Sequence, residues 1–304
     1  MKQKKKKSSG WSTVVLVVIF LAGLSLLLYP TLSNYVNSLN QSVAIGDYTQ
    51  KVDELDVEKY ADMRAQAQKF NQTLLDRENR FVLPKELEEE YNKTLNVTGT
   101  GIMGYVEIPC IDCTLPIYHG TDDAVLQVAV GHLEWSSLPI GGPSTHSVIS
   151  GHRGLPSAKL LSDIDRMEIG DAFYIHVLDQ ELKYRVDDIS VVLPEDTNRL
   201  RVVEGKDYMT LVTCTPYGVN SHRLLVRGVR VDDDGASTGT TLLLNNEIKP
   251  IHPMYVIPVA VVLVLAVMGL VMWIDTVRIK RKSLRLQEET QGNGAQICPQ
   301  SEEN

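Results

Sequence analysis

The stretch Thr210-Leu211-Val212-Thr213-Cys214-Thr215-Pro216-Tyr217-Gly218-Val219-Asn220-Ser221-His222-Arg223-Leu224-Leu225-Val226-Arg227-Gly228 holds the residues best suited to chemistry. It reads as a strand that delivers Cys214 to its end, a loop of eight residues, and a second strand opened by Arg223. If the strands pair antiparallel, thiol and guanidinium face one another. A fixed, always charged arginine can favour a thiolate and offer N–H donors to the oxyanion of a tetrahedral intermediate. A second motif, Ile149-Ser150-Gly151-His152-Arg153-Gly154, ends an apolar strand in a turn with a histidine between glycines. An imidazole there can protonate a leaving amine and deprotonate an incoming nucleophile, which is what acyl transfer needs.

Cysteine counting alone leaves the nucleophile open. Of four cysteines, Cys298 lies in a polar tail and Cys110, Cys113 and Cys214 lie in the central part; three thiols cannot all pair within one chain. Cys110-Ile111-Asp112-Cys113 fits a bridged turn and two free thiols equally, and its zinc reading is weak without a second such pair. A free cysteine is also often a small buried hydrophobe. By residue type His132, His146 and His222 compete with His152, and His222 adjoins Arg223. Strand neighbours point to opposite faces, so only one of those two can look at Cys214. Arg153 and Arg227 read as surface or salt-bridged residues.

The elements that must position these groups follow from composition. From about Gly99 short β-rich runs alternate with turn residues, including a hairpin of 172–178 and 182–193 about Asp179-Gln180-Glu181; over 99–232 these predict a small β-barrel. Before it, 31–98 is a polar appendage with apolar residues at helical spacing (Val52, Leu55, Val57, Tyr60, then Phe70, Leu74, Leu75), read as two or three helices. Pro84 and the acidic run 86–90 predict a surface loop or a short helix with its proline near the start.

The flanks give the topology. A basic N-terminus, 1–10, precedes a transmembrane helix or signal anchor at 11–30, whose apolar run is longer than a usual signal core and lacks a clear small-residue cleavage site. A linker at 233–252 leads to a second transmembrane helix at 253–275, then a basic and polar tail, 276–304. Positive charge gathers outside both runs, so both termini are expected in the cytosol and the catalytic domain outside the cell membrane. The flanks 1–30 and 251–304 hold ten of the 30 Lys/Arg and five of the 38 Asp/Glu, so the part between them is about −13. That excludes a basic stripe for nucleic acid.

With these residues together, the chain resembles the sortase family, in its class C, pilin-polymerising branch of Gram-positive bacteria. The likeness extends through Leu115-Pro116-Ile117-Tyr118-His119-Gly120-Thr121, Gly131-His132-Leu133, Ser137-Leu138-Pro139-Ile140-Gly141-Gly142 and Thr145-His146-Ser147-Val148-Ile149-Ser150-Gly151-His152-Arg153-Gly154-Leu155-Pro156, about residues 35–232 in all. The resemblance implies a mainly β, sortase-like barrel with a helical appendage between two transmembrane helices. It also implies that Cys214 cleaves the Thr–Gly bond of an LPxTG-like sorting signal through a thioester, with His152 as general acid and base. Arg223 would position the signal and stabilise the oxyanion, a pilin lysine would accept the acyl group, and no cofactor is needed. Implied partners are pilin subunits and the membrane. The alternatives are a housekeeping sortase that uses a cell-wall precursor amine and a non-catalytic pilus-assembly scaffold.

One family feature does not carry over. Class C sortases commonly have a lid with an Asp-Pro-aromatic triplet, and this sequence has no Asp-Pro. Residues 76–91, with Phe81 and Pro84 as bulky features, are either a diverged lid or no lid.

Overall fold

The computed structural model describes residues 10–77 and 81–231, together with Leu265, Gly269, Val277, Arg278 and Arg281. The basic N-terminus, the linker and, apart from those isolated helical positions, the second apolar run and the tail lie outside the described residues. The chain divides into two compact units, 1–238 and 239–304, and all that follows concerns the first.

Three helices come first: α1 (Gly10–Asp53), α2 (Val57–Leu75) and α3 (Lys85–Lys93). The upper half of α1 leaves Val18, Ile19, Leu26 and Leu27 more than half exposed, and its most apolar 18-residue window has a mean hydropathy of 1.7, so it is long and apolar enough to cross a membrane. The helix continues through Pro30 into the polar segment. The side chain of Asp56 caps α2 by accepting from Lys59 N at 2.9 Å, and Ala67, Phe70, Asn71 and Leu74 make its buried stripe. Pro84 precedes α3 at the capping position, where a missing N–H costs nothing, and Leu87 and Tyr91 anchor that helix in the core.

Eight strands close a barrel in the order β1-β2-β3-β4-β7-β8-β6-β5. They are β1 (Ile102–Ile108), β2 (Cys113–His119), β3 (Val130–His132), β4 (Thr145–Ser150), β5 (Ala172–Val177), β6 (Gln180–Val192), β7 (Asp207–Thr215) and β8 (His222–Arg230), with a short helix α4 (Asp123–Leu126) before β3. The pairs β2–β3 and β4–β7 are parallel and the others antiparallel. The mainly β barrel expected from the sequence is therefore present. The β5–β6 hairpin is tighter than expected: Val177 pairs with Gln180, leaving Leu178 (φ 52°) and Asp179 as the turn.

Alternation sorts each strand between two apolar groups. Met209, Leu211, Ile149 and Val226 point into the barrel core with Phe173, Ile175 and Met103. Val148, Val212 and Leu225 point the other way and form a second cluster with Leu200, flanked by Leu133, Trp135 and Val192. At Gly131 the wall of the barrel is at its closest: a Cβ there would lie 2.1 Å from the Gly120 carbonyl oxygen. Gly131→Ala is expected to destabilise the fold by about 3 kcal/mol, an overpacking cost that thermal unfolding would register as a clear fall in Tm.

Candidate active site

Two pairing registers bring the sequence-selected residues together. On one side of β7, Cys214 is the Cα partner of Arg223 on β8, and the intervening loop is 216–221, shorter than the sequence suggested. On the other side β4 runs parallel to β7 with Ser150 opposite Val212. The same 62-residue offset persists beyond the end of β4: the Thr213 hydroxyl donates to Gly151 O at 2.8 Å and Arg153 Nη1 to the Thr215 hydroxyl at 3.5 Å. Gly151 N also donates to Val212 O at 3.0 Å. His152 thus falls alongside Cys214, and His152, Cys214 and Arg223 occupy adjacent positions across three neighbouring chain segments. All three are half-buried.

The guanidinium is held from below. Arg223 Nη1 donates to Asn220 O at 3.2 Å and His222 O at 3.1 Å, so the loop's own carbonyls orient the fork. The histidine turn is held from the side by its neighbour: Arg153, its side chain 10% exposed, pairs with Asp165 and lies over the Tyr217 ring. Gly154 (φ +81°) packs under the same ring, where a Cβ would stand 2.9 Å from it. Arg153 and Arg227, which pairs with Asp187 in a two-pronged contact, are salt-bridged as read from sequence.

The competing residues are placed elsewhere. His132 is fully buried, donates to Ser137 O at 2.8 Å, and burial holds its pKa down at about 3. His146 is buried between Thr210 Oγ1 and Arg201 O. His222 shares a hydrogen bond with Ser221 and, by strand alternation, takes the face opposite Arg223. Cys110 and Cys113 are unbridged thiols at the β1–β2 turn. Burial pushes the Cys113 thiol up to about 12, and burial with the Asp171 carboxylate raises Cys110. A high pKa disfavours the nucleophilic thiolate at both. Among the described residues no cluster of three or more His, Cys, Asp or Glu is arranged to hold a metal ion.

On the outward side of β4, β7 and β8, Val148, Val212 and Leu225 pack with Leu200 into a small buried cluster flanked by Leu133, Trp135 and Val192. This second cluster escaped the sequence reading. Its signal was there in the pairs Val148-Ile149, Leu211-Val212 and Leu224-Leu225, since two apolar residues in succession mean a strand covered on both faces. The Phe81 ring rests on Trp135, which flanks this cluster, with centroids 5.0 Å apart. Pro84 stands at the capping position before α3. Together the arrangement brings a thiol, an imidazole and a guanidinium to neighbouring positions, which suits nucleophilic attack on a carbonyl.

The family model described as a sortase domain matches residues 106–231. Sortase C1 from Streptococcus agalactiae is 49% identical, with a TM-score of 0.61 over 63% of this chain and 99% of that one. Clostridium perfringens sortase C, solved with the C-terminal cell wall sorting motif, is 42% identical, with a TM-score of 0.56 over 63% of this chain and 100% of that one. A lid mutant of sortase A from Corynebacterium diphtheriae is 41% identical, with a TM-score of 0.55 over 60% of this chain and 98% of that one.

Proposed function

The chain belongs to the sortase family of cysteine transpeptidases, and from that premise we propose that it joins pilin subunits through a thioester on Cys214. The Cys214 sulfur attacks the threonine carbonyl of an LPxTG-like signal. Arg223 donates to the oxyanion, and collapse breaks the Thr–Gly bond while His152 gives a proton to the leaving glycine amine. A pilin lysine then attacks the thioester, His152 takes its proton, and the C–S bond breaks to leave an isopeptide. The observation that carries this reading is the shared register of His152, Cys214 and Arg223 across three neighbouring chain segments. The class C neighbours, one of them solved with a sorting motif, support the substrate class.

Incubation with an LPxTG-like peptide and a lysine-bearing pilin domain tests the proposal. Intact-mass spectrometry is expected to find an enzyme adduct on Cys214 and then a Thr–lysine isopeptide product. Transfer to a cell-wall precursor amine with none to lysine would replace the pilin reading by the housekeeping one, and no adduct at all would favour the scaffold. In the same reading α1 anchors the enzyme, the second apolar run returns the chain to the cytosol, and the barrel works outside the cell membrane.

Phe81 on Trp135 supports a lid without the Asp-Pro triplet. Phe81→Ala is expected to raise peptide hydrolysis about threefold to tenfold, the loss of roughly 1 kcal/mol of ring contact. An unchanged initial rate in a peptide-cleavage assay would rule out occlusion by this ring. The point substitution is cleaner than deleting 76–91, which would also remove the buried Leu87 and Tyr91; the Tyr91 hydroxyl accepts from Gly120 N and donates to His132 O.

A further inference from the structure

Below its apolar half, α1 presents one continuous stripe at helical spacing: Asn34, Asn37, Gln41, Ala44, Tyr48 and Val52. The last three pack against the barrel, with Tyr48 and Val52 buried beside Ile102 and Ala44 packed on them, and the Tyr48 hydroxyl donates to Met103 O at 3.1 Å and accepts from Leu178 N at 2.8 Å. The first three are polar, and each meets a backbone group of the barrel. Asn34 Oδ1 accepts from Lys159 N at 2.6 Å, Asn37 Nδ2 donates to Ser157 O at 2.7 Å, and Gln41 Nε2 donates to Val128 O at 2.6 Å.

All three attachment points lie at one end of the barrel. Ser157 and Lys159 belong to the loop that leaves β4 through His152, and this loop is closed on itself by Leu161 N donating to His152 O at 3.3 Å. Val128 precedes β3, whose Gly131 pairs with Ser150 at the end of β4. That end is also where β7 finishes with Cys214. From Tyr29, the end of the apolar run, to Asn34 and Gln41 is about 8 to 18 Å along the helix axis at 1.5 Å per residue.

We propose that the lower half of α1 is a rigid strut, latched to the His152 loop by Asn34 and Asn37, that fixes the active-site end of the barrel next to the bilayer and so selects substrates whose sorting signals are held at the membrane surface. This rests on the reading of α1 as the membrane anchor and of the barrel as the transpeptidase. Asn34 and Asn37 are positioning residues; neither touches substrate. A signal carried close to the bilayer meets the site without a search, whereas a free peptide gains nothing from its height.

The test uses the full chain in phosphatidylglycerol-containing vesicles with two substrates, a soluble sorting peptide and the same peptide on a lipid with a short linker. Wild type is expected to favour the lipid-linked peptide about tenfold in kcat/KM. An Asn34→Ala, Asn37→Ala double variant should lose that preference through KM, with soluble-peptide turnover within twofold. Inserting seven residues, two helical turns, after Leu32 should lower activity on the short-linker substrate and leave a longer linker unaffected. Hydrogen exchange at the Lys159 amide, which needs no activity, should quicken about tenfold in the double variant, as loss of one hydrogen bond worth about 1.4 kcal/mol predicts. Equal losses on both substrates, no loss on either, or unchanged exchange at Lys159 would overturn the strut. A wild type that cleaves neither peptide yet shows the exchange change would overturn the transpeptidase reading and leave the latch standing.

Discussion

A Cys214→Ala chain is expected to cleave no sorting signal, with kcat/KM down by at least about 10⁴-fold, because the covalent route is lost and no other group can take its place. The substitution removes one half-buried sulfur from the end of β7, so a fall in unfolding midpoint of more than a few degrees is not expected. Neither remaining barrel cysteine can substitute: Cys113 is kept protonated by burial, and Cys110 lies with it at the β1–β2 turn. The decisive measurement is the mass of the enzyme after a short incubation with peptide, with pilin ladders as the cellular counterpart. High-molecular-weight pilin persisting in the variant would end the enzymatic assignment of Cys214.

Arg223→Ala is expected to lower kcat by about 10²- to 10³-fold with a smaller change in KM, the usual cost of losing a preorganised oxyanion donor. Arg223→Lys should recover little of it. The fork of the guanidinium already spends one nitrogen on the Asn220 and His222 carbonyls, which fixes the plane in which the others lie. An ammonium is a point charge on a flexible stem and cannot be fixed that way. A lysine variant with near-normal kcat would show that bare positive charge suffices and that the carbonyl contacts serve only the loop.

Much of this site was readable from the chain because part of it is local. Cys214 and Arg223 are joined by a short turn, so the antiparallel pairing, and with it their opposition, follows from one continuous stretch of sequence. The choice of His152 is different in kind. It depends on a parallel pairing between strands 62 residues apart, and parallel partners leave no hairpin signal to read. Without the family likeness His132, His146 and His222 were equal contenders, and only burial and strand parity separate them. The outward apolar cluster and the Phe81–Trp135 contact are tertiary for the same reason: Trp135 meets Phe81 across the fold, not along the chain. The docking of α1 was invisible to composition, since Asn34, Asn37 and Gln41 look like any solvated helix face until the loop backbones they bind are in place.

The parallel seam between β4 and β7 also sets an order of events in time. His152 lies early in the barrel sequence, whereas Cys214 and Arg223 sit in its last two strands. In chain order His152 therefore precedes the thiol, and Cys214 gains Arg223 from its own hairpin but meets the His152 turn only once β7 has settled against β4. Such distant contacts form late in folding, because loop closure must be met before they repay it. Under the proposed function the chain is in this sense its own zymogen: nothing has to be cut away, and the full set of groups assembles only as the barrel closes.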